Sequence, residues 1–178
     1  MAITICGSCM EFGSSTMCDT SPGFSFGGTI KAECGFHEIH SLAGTISGYS
    51  SGGLCVGSGF HRIDTIDKFP FASDGNATDV GNLTQGRYTG AGQSSTASGY
   101  SSGGSASGYV AVNTIDKFPF ASDGNATDVG NLIQSRTYAA GQSSTASGYI
   151  SGGEGSPSGV DTIDKFPFAS DGNAADVG

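Results

Sequence analysis

The side chains best suited to chemistry in this 178-residue chain are three histidines, five cysteines and an acidic loop that occurs more than once. Cys6-Gly-Ser-Cys9 has the spacing of half a zinc site or of a redox pair. A structural zinc takes four ligands, however, and no second Cys-x-x-Cys follows. Small buried thiols or a local disulfide account better for Cys6, Cys9, Cys18, Cys34 and Cys55, and the odd count leaves at least one thiol unpaired within the chain. His37-Glu38-Ile39-His40 lacks the spacing of the His-Glu-x-x-His zinc motif, so its histidines read as surface or packing groups, with a two-histidine site including Glu38 as the alternative. Serines recur without a recurring histidine, so no nucleophile and base are paired. An enzyme also needs one differentiated site, whereas near-identical units supply equivalent positions. No enzymatic activity is expected.

The acidic loop, Asp74-Gly75-Asn76-Ala77-Thr78-Asp79, spaces oxygen side chains as weak calcium loops do. Asp74, Asn76 and Asp79, with their copies Asp123, Asn125 and Asp128, are the candidate Ca²⁺ ligands, and the pattern returns less completely from Asp171 to Asp176. The bidentate Glu of an EF-hand is missing, and an Asx turn that satisfies its own backbone is the competing reading. No other cofactor is implied. Tyr88, Tyr100, Tyr109, Tyr138 and Tyr149 have Gly and Ser neighbours, which suits either a sugar-binding surface, for which Tyr100 and Tyr149 are the leading candidates, or packing with the phenol at a rim. Arg87 and Arg136 recur at matching places and are candidates for a ligand contact repeated from unit to unit. Lys68, Lys117 and Lys165 each stand beside an Asp, and inter-strand ion pairs, worth under about 1 kcal/mol when exposed, are the alternative reading of all five cations. Asn76, Asn82 and Asn125 begin Asn-x-Thr acceptor patterns, which matter only in a glycosylating pathway.

The elements that position these residues come from an internal repeat. Thr65 to Gly81 returns unchanged at Thr114 to Gly130, and again at Thr162 to Gly178 with Ala175 in place of Thr. Gly92 to Tyr100 matches Gly141 to Tyr149, and Gly103-Gly104 matches Gly152-Gly153. An earlier Gly48-Tyr49-Ser50-Ser51-Gly52-Gly53 places the start of the pattern before residue 65. The chain therefore divides into a divergent, cysteine-containing cap or attachment segment over 1–45 and a tandem-repeat domain over 46–178. Its units lie near 65–113, 114–161 and an incomplete 162–178.

A unit of this length accommodates about four short strands with their turns. Strands are predicted over 88–96, 97–102, 109–119 and 126–132, with a break near Asn113 and Pro119 at a strand end. Asp74-Gly75-Asn76 predicts a tight primed turn and Gly103-Gly104 a second turn. Each unit is too small to bury its apolar face alone, so neighbours must cover it.

Composition agrees with an all-β chain. Gly is 31 of 178 residues, far above the usual share of about 7%, and small polar residues abound, which disfavours long helices. Hydrophobic content is only 36%, but 11 Phe and 6 Tyr recur at fixed places, so disorder is rejected. The net charge of −9 argues against nucleic acid and against docking on an anionic membrane. No stretch reaches the ~18 apolar residues of a membrane span. The segment Met1 to Cys6 lacks the basic-then-apolar pattern of a signal peptide, so the chain is expected to stay inside the producing cell or to leave by another route such as virion assembly.

Gly-Tyr-x-Ser-Gly-Gly at 99–104 and 148–153, the strand Thr114 to Phe120, and the run Asn125 to Leu132 followed by Arg136 together resemble a Kelch-type repeat. The resemblance covers 46–178. It implies four-stranded β-propeller blades, here completed by oligomerisation, with a β-solenoid or fibre stack as the alternative. The sequence departs from the family where its Trp is Val80, Val129 and Val177, and where the double-glycine strand lacks an aliphatic run. The wording of the repeat is also similar to tandem repeats of phage structural proteins. That similarity implies a virion structural protein on the particle surface, a tail or head fibre or spike with a scaffold or host-recognition role. Its partners would be further copies of itself, other virion proteins, and a host-surface glycan or protein. The alternatives are a cellular Kelch-like interaction module in the cytoplasm and a self-assembling extracellular filament subunit.

Overall fold

A computed structural model describes residues 3–6, 9–12, 15–18, 46–56, 60–156 and 158–178. The chain divides into two compact units, Met1–Ser41 and Leu42–Gly178. In the first, β1 (Ile3–Cys6), β2 (Cys9–Phe12) and β3 (Ser15–Cys18) form an antiparallel meander in which Cys6 is opposite Cys9 and Cys9 opposite Cys18. Cys34 and the His37 to His40 motif lie outside the described residues.

The second unit contains three antiparallel sheets, each a simple meander. The first has β4 (Ser47–Val56), β5 (Phe60–Pro70) and β6 (Thr78–Asn82). The second has β7 (Ala91–Ser94), β8 (Ser98–Ser102), β9 (Thr114–Pro119) and β10 (Thr127–Asn131). The third has β11 (Ala140–Ser143), β12 (Ser147–Ser151), β13 (Ile163–Pro167) and β14 (Ala175–Asp176). The all-β expectation holds, for no α-helix occurs among the described residues and a short 3-10 turn spans Ser107–Tyr109. The sheet frame is offset from the sequence-repeat frame. Each sheet borrows its first strands from the end of one repeat and its last two from the next.

Glycines and aromatics set the register. Gly48, Gly99 and Gly148 lie opposite Phe69, Phe118 and Phe166 on the neighbouring strand. Each ring covers the place a Cβ would take, so the aromatic buries the bare glycine backbone and pins the pairing. The double glycines follow directly. Gly52, Gly103 and Gly152 have φ of 68°, 64° and 62°, a left-handed conformation in which a side chain would be strained; it follows the ends of β8 and β12 and sits at the register shift within β4.

Three details differ from the sequence expectation. The predicted strand over 109–119 shortens to β9, because Gly108 and Tyr109 adopt positive φ in the 3-10 turn and residues 110–113 return to the sheet only through a bridge at Ala111. The predicted strand over 88–96 shortens to β7, because Thr89 also has positive φ. The Asp-Gly-Asn segments are not tight primed turns. Gly75, Gly124 and Gly172 do not take the positive φ such turns require, and Pro119 and Thr127 are separated by a loop that reaches across to the preceding sheet.

The sheets stack face to face, and strand alternation dictates how. In β9, Asp116 and Phe118 point toward the first sheet, while Ile115 and Lys117 point toward the third. Phe118 packs with Ile66, Leu83 and Ala126, and Tyr49 stacks on Phe120 with centroids 4.8 Å apart. One junction later Phe166 packs with Ile115, Leu132 and Tyr100, and Tyr100 stacks on Phe168 at 4.8 Å. Both faces of the middle sheet are thereby buried, and a chain of low apolar content builds one small hydrophobic cluster at each junction. On the faces turned away from the middle sheet, Phe71 of the first sheet is exposed and Ile163 of the third is partly exposed.

Candidate binding surface

Each junction is fixed by an arginine from the linker between sheets. Arg87 lies between β6 and β7, and its carbonyl accepts the Gly53 N–H of the first sheet at 2.8 Å. Its guanidinium enters the second sheet, donating to the carbonyls of Gly103 and Thr114 and pairing with the Asp116 carboxylate. Thr84 completes the carboxylate shell with its N–H and hydroxyl, both at 2.8 Å from Asp116. Arg136 repeats the pattern. Its carbonyl accepts from Gly104 at 2.9 Å, and its side chain donates to Gly152, Thr162 and, at 2.7 Å, Asp164. All four ionised groups are buried. A buried pair of this kind is costly to disrupt from one side, because the remaining charge is stranded.

The structure thus corrects the reading of Arg87 and Arg136 as ligand contacts, since burial leaves neither guanidinium accessible. Tyr100 is likewise enclosed beneath Phe166 and Phe168, where burial pushes its phenol pKa up. Tyr149, its counterpart on the third sheet, is half-buried with Lys165 near its ring.

The acidic loops serve the same junctions. Asp123 accepts from Lys68 at 3.0 Å and Asp171 from Lys117 at 2.8 Å, so each lysine reaches the loop of the following sheet. Hydrogen bonding to those carboxylates raises the pKa of both lysines. Asn125 accepts from the Asn82 N–H at 3.0 Å and Asn173 from the Asn131 N–H at 2.9 Å. Asp79 and Asp128 accept N–H bonds from Gly81 and Gly130 in their own strands. Asp74 and Asn76, the equivalents on the first sheet, are exposed. Asp79, Asp123, Asn125 and Asp128 therefore point their oxygens at protein donors in the first and second sheets, and no group of three or more His, Cys, Asp or Glu side chains converges among the described residues.

The double glycines and the linkers emerge at one edge of the stack, opposite the acidic loops. There they frame two shallow grooves. One, of about 590 Å³, runs between His61 and Arg62 of β5, Gln85 and Gly86 of the linker, and Val110 and Val112 of the second sheet. The other, of about 760 Å³, is bounded by Tyr88, Tyr109, Gln134, Thr137, Tyr138 and Glu154. Arg62 lies over the Tyr109 ring at 4.4 Å and the Tyr88 ring at 5.6 Å, tying the two grooves together through cation–π contacts. Tyr109 and Tyr138 are largely exposed, and both hold positive φ, a strained setting for a non-glycine residue. Aromatic faces alternating with hydroxyl and amide groups suit reversible binding of a polar ligand.

The repeat placed Tyr109 and Tyr138 among the candidate surface tyrosines but did not distinguish them from the buried Tyr100. Their exposure depends on the loops that follow each double glycine and each arginine, whose path the repeat alone does not reveal. A scan against family models finds no match to the chain, and a search of curated proteins finds none similar in sequence.

Proposed function

We propose that this chain is a non-catalytic structural protein of a virion surface, part of a tail or head fibre or spike, in which Kelch-like blades form a rigid acidic scaffold. The tyrosine-lined edge would recognise a glycan or protein on the host surface. The observation that supports the scaffold is the repetition of one buried junction, arginine, aspartate, tyrosine and aromatic pair alike, at both sheet interfaces. Junctions held by stacked aromatics and stranded-charge penalties resist shear, as a fibre requires. The chemistry of the described residues favours binding over turnover, because the exposed edge offers rings, amides and hydroxyls without a paired nucleophile and base. Two copies of a three-sheet body would supply six sheets, inside the range of about four to eight blades of propellers.

Antibody labelling of purified particles tests this reading. Gold label at fibres or spikes is the expected result, and unlabelled particles from a source that makes the chain would overturn it. No helix among the described residues is long and apolar enough to cross a membrane.

A further inference from the structure

The two outward faces of the stack differ from each other, and each reproduces one half of an internal junction. On the third sheet, Ile163, Lys165, Tyr149 and Gly178 occupy the places that Ile115, Lys117, Tyr100 and Gly130 hold toward the third sheet. On the first sheet, Phe69, Phe71 and Asp74-Gly75-Asn76 occupy the places that Phe118, Phe120 and Asp123-Gly124-Asn125 present to the first. Phe71 is 57% exposed and Ile163 38% exposed, although their equivalents in the middle sheet are covered. We infer that these faces bind each other between copies, so that the chain associates head to tail with a second copy of itself.

The contacts follow from the internal junctions. Lys165 of one copy meets Asp74 of the next, as Lys68 meets Asp123 and Lys117 meets Asp171. Tyr149 stacks on Phe71, as Tyr49 stacks on Phe120 and Tyr100 on Phe168. Gly178 receives the Gly75 carbonyl in the way Gly81 receives that of Gly124 and Gly130 that of Gly172, approaches so close that a Cβ would overlap the oxygen. A charged pair, an aromatic pair and a glycine notch must register together, which selects this face over any other surface of the copy. Because the two faces are unlike, pairing is heterologous and leads to a ring or a filament rather than to contact between identical patches. Association between separate copies depends on concentration.

Gly178 gives a selective test. Within its own chain a Cβ there meets the Ile163 side chain at an ordinary 3.7 Å, whereas a Cβ at Gly130 strikes a carbonyl of the third sheet. Sedimentation of the full chain is measured over a range of concentrations with reductant present, because Cys55 is exposed. The unaltered chain grows in mass with concentration. Gly178→Val and Tyr149→Glu associate at least tenfold more weakly while keeping the unaltered melting temperature and circular dichroism. A chain that stays a single-mass monomer throughout, or a Gly178→Val variant that associates as well as the unaltered chain, overturns the proposal. Carbodiimide cross-linking of mixed isotope-labelled copies should join Lys165 to Asp74 between chains, and links confined to other surfaces would also overturn it. These outcomes are independent of particle labelling, since the faces are a property of the purified chain.

Discussion

The middle sheet and the outer sheets share almost the same residues and have different physical lives. Ile115 and Ile66 are fully enclosed, but Ile163 is 38% exposed; Phe118 and Phe166 are enclosed, but Phe69 is 37% exposed. Ala91 and Gln93 of β7 are buried under the third sheet, while Ala140 and Gln142 of β11 face outward. Nothing within the strands accounts for these differences. The neighbour does, through its aromatic pair, its acidic loop and, on one side, its linker arginine. Stability in this stack is therefore a property of junctions more than of sheets, the pattern expected of quasi-one-dimensional repeats.

The largest break in that comparison should come from the buried carboxylates. Asp116→Ala strands Arg87 in the junction and is expected to cost about 3–5 kcal/mol of unfolding free energy. The same change at Asp67, which receives no arginine among the described residues, should cost under about 1 kcal/mol. Urea denaturation of the pair of variants measures the gap. Next, Tyr100→Ala removes a ring held between two phenylalanines and should cost about 3 kcal/mol. Tyr149→Ala, with no aromatic partner across a junction, should cost under about 1 kcal/mol in dilute solution. A smaller contrast lies at the glycines. Gly99→Ala pushes on the enclosed Phe118 and should cost about 1–3 kcal/mol, whereas Gly48→Ala pushes on Phe69, which has solvent to move into, and should cost less than half as much.

The smallest effect is one of pH. Tyr100 is raised by burial, Lys117 by its bond to Asp171 and Lys68 by its bond to Asp123. A folded-state pKa above the unfolded value gives stability that is complete below the unfolded pKa, near 10 for these groups, and is lost as pH climbs through the folded value. Denaturation midpoints should hold up to about pH 9 and fall above about pH 10. Tyr100→Phe should flatten the fall.

Much of this arrangement was legible in the residues. The repeat, the all-β class, the strands around Tyr100 and Val129, and the double-glycine turns follow from spacing and composition. The alternation in Thr114-Ile115-Asp116-Lys117-Phe118 was visible too, but its meaning was not. Aspartate ordinarily marks the solvent side, and only the path of the chain shows that Asp116 meets an arginine 29 residues upstream. A signal did exist, because Arg87 and Arg136 precede Asp116 and Asp164 by nearly equal separations. The Asp-Gly-Asn loops misled for a related reason. Their turn chemistry was read as local, while Asn125 and Asp123 serve bonds to the sheet before them. Tyr109 and Tyr138 at the groove edge could not be told apart from the buried Tyr100 by sequence, because loop direction, not repeat spacing, decides their exposure.

The most direct test of the account is amide hydrogen exchange by NMR on the dilute chain, resolved residue by residue because residues 65–81 and 114–130 are identical in sequence. The account predicts that amides of β8 and β9 in the middle sheet exchange more slowly than the matching amides of β12 and β13, by a factor of ten or more. Equal protection in the two sheets, or slower exchange in the third, would contradict it.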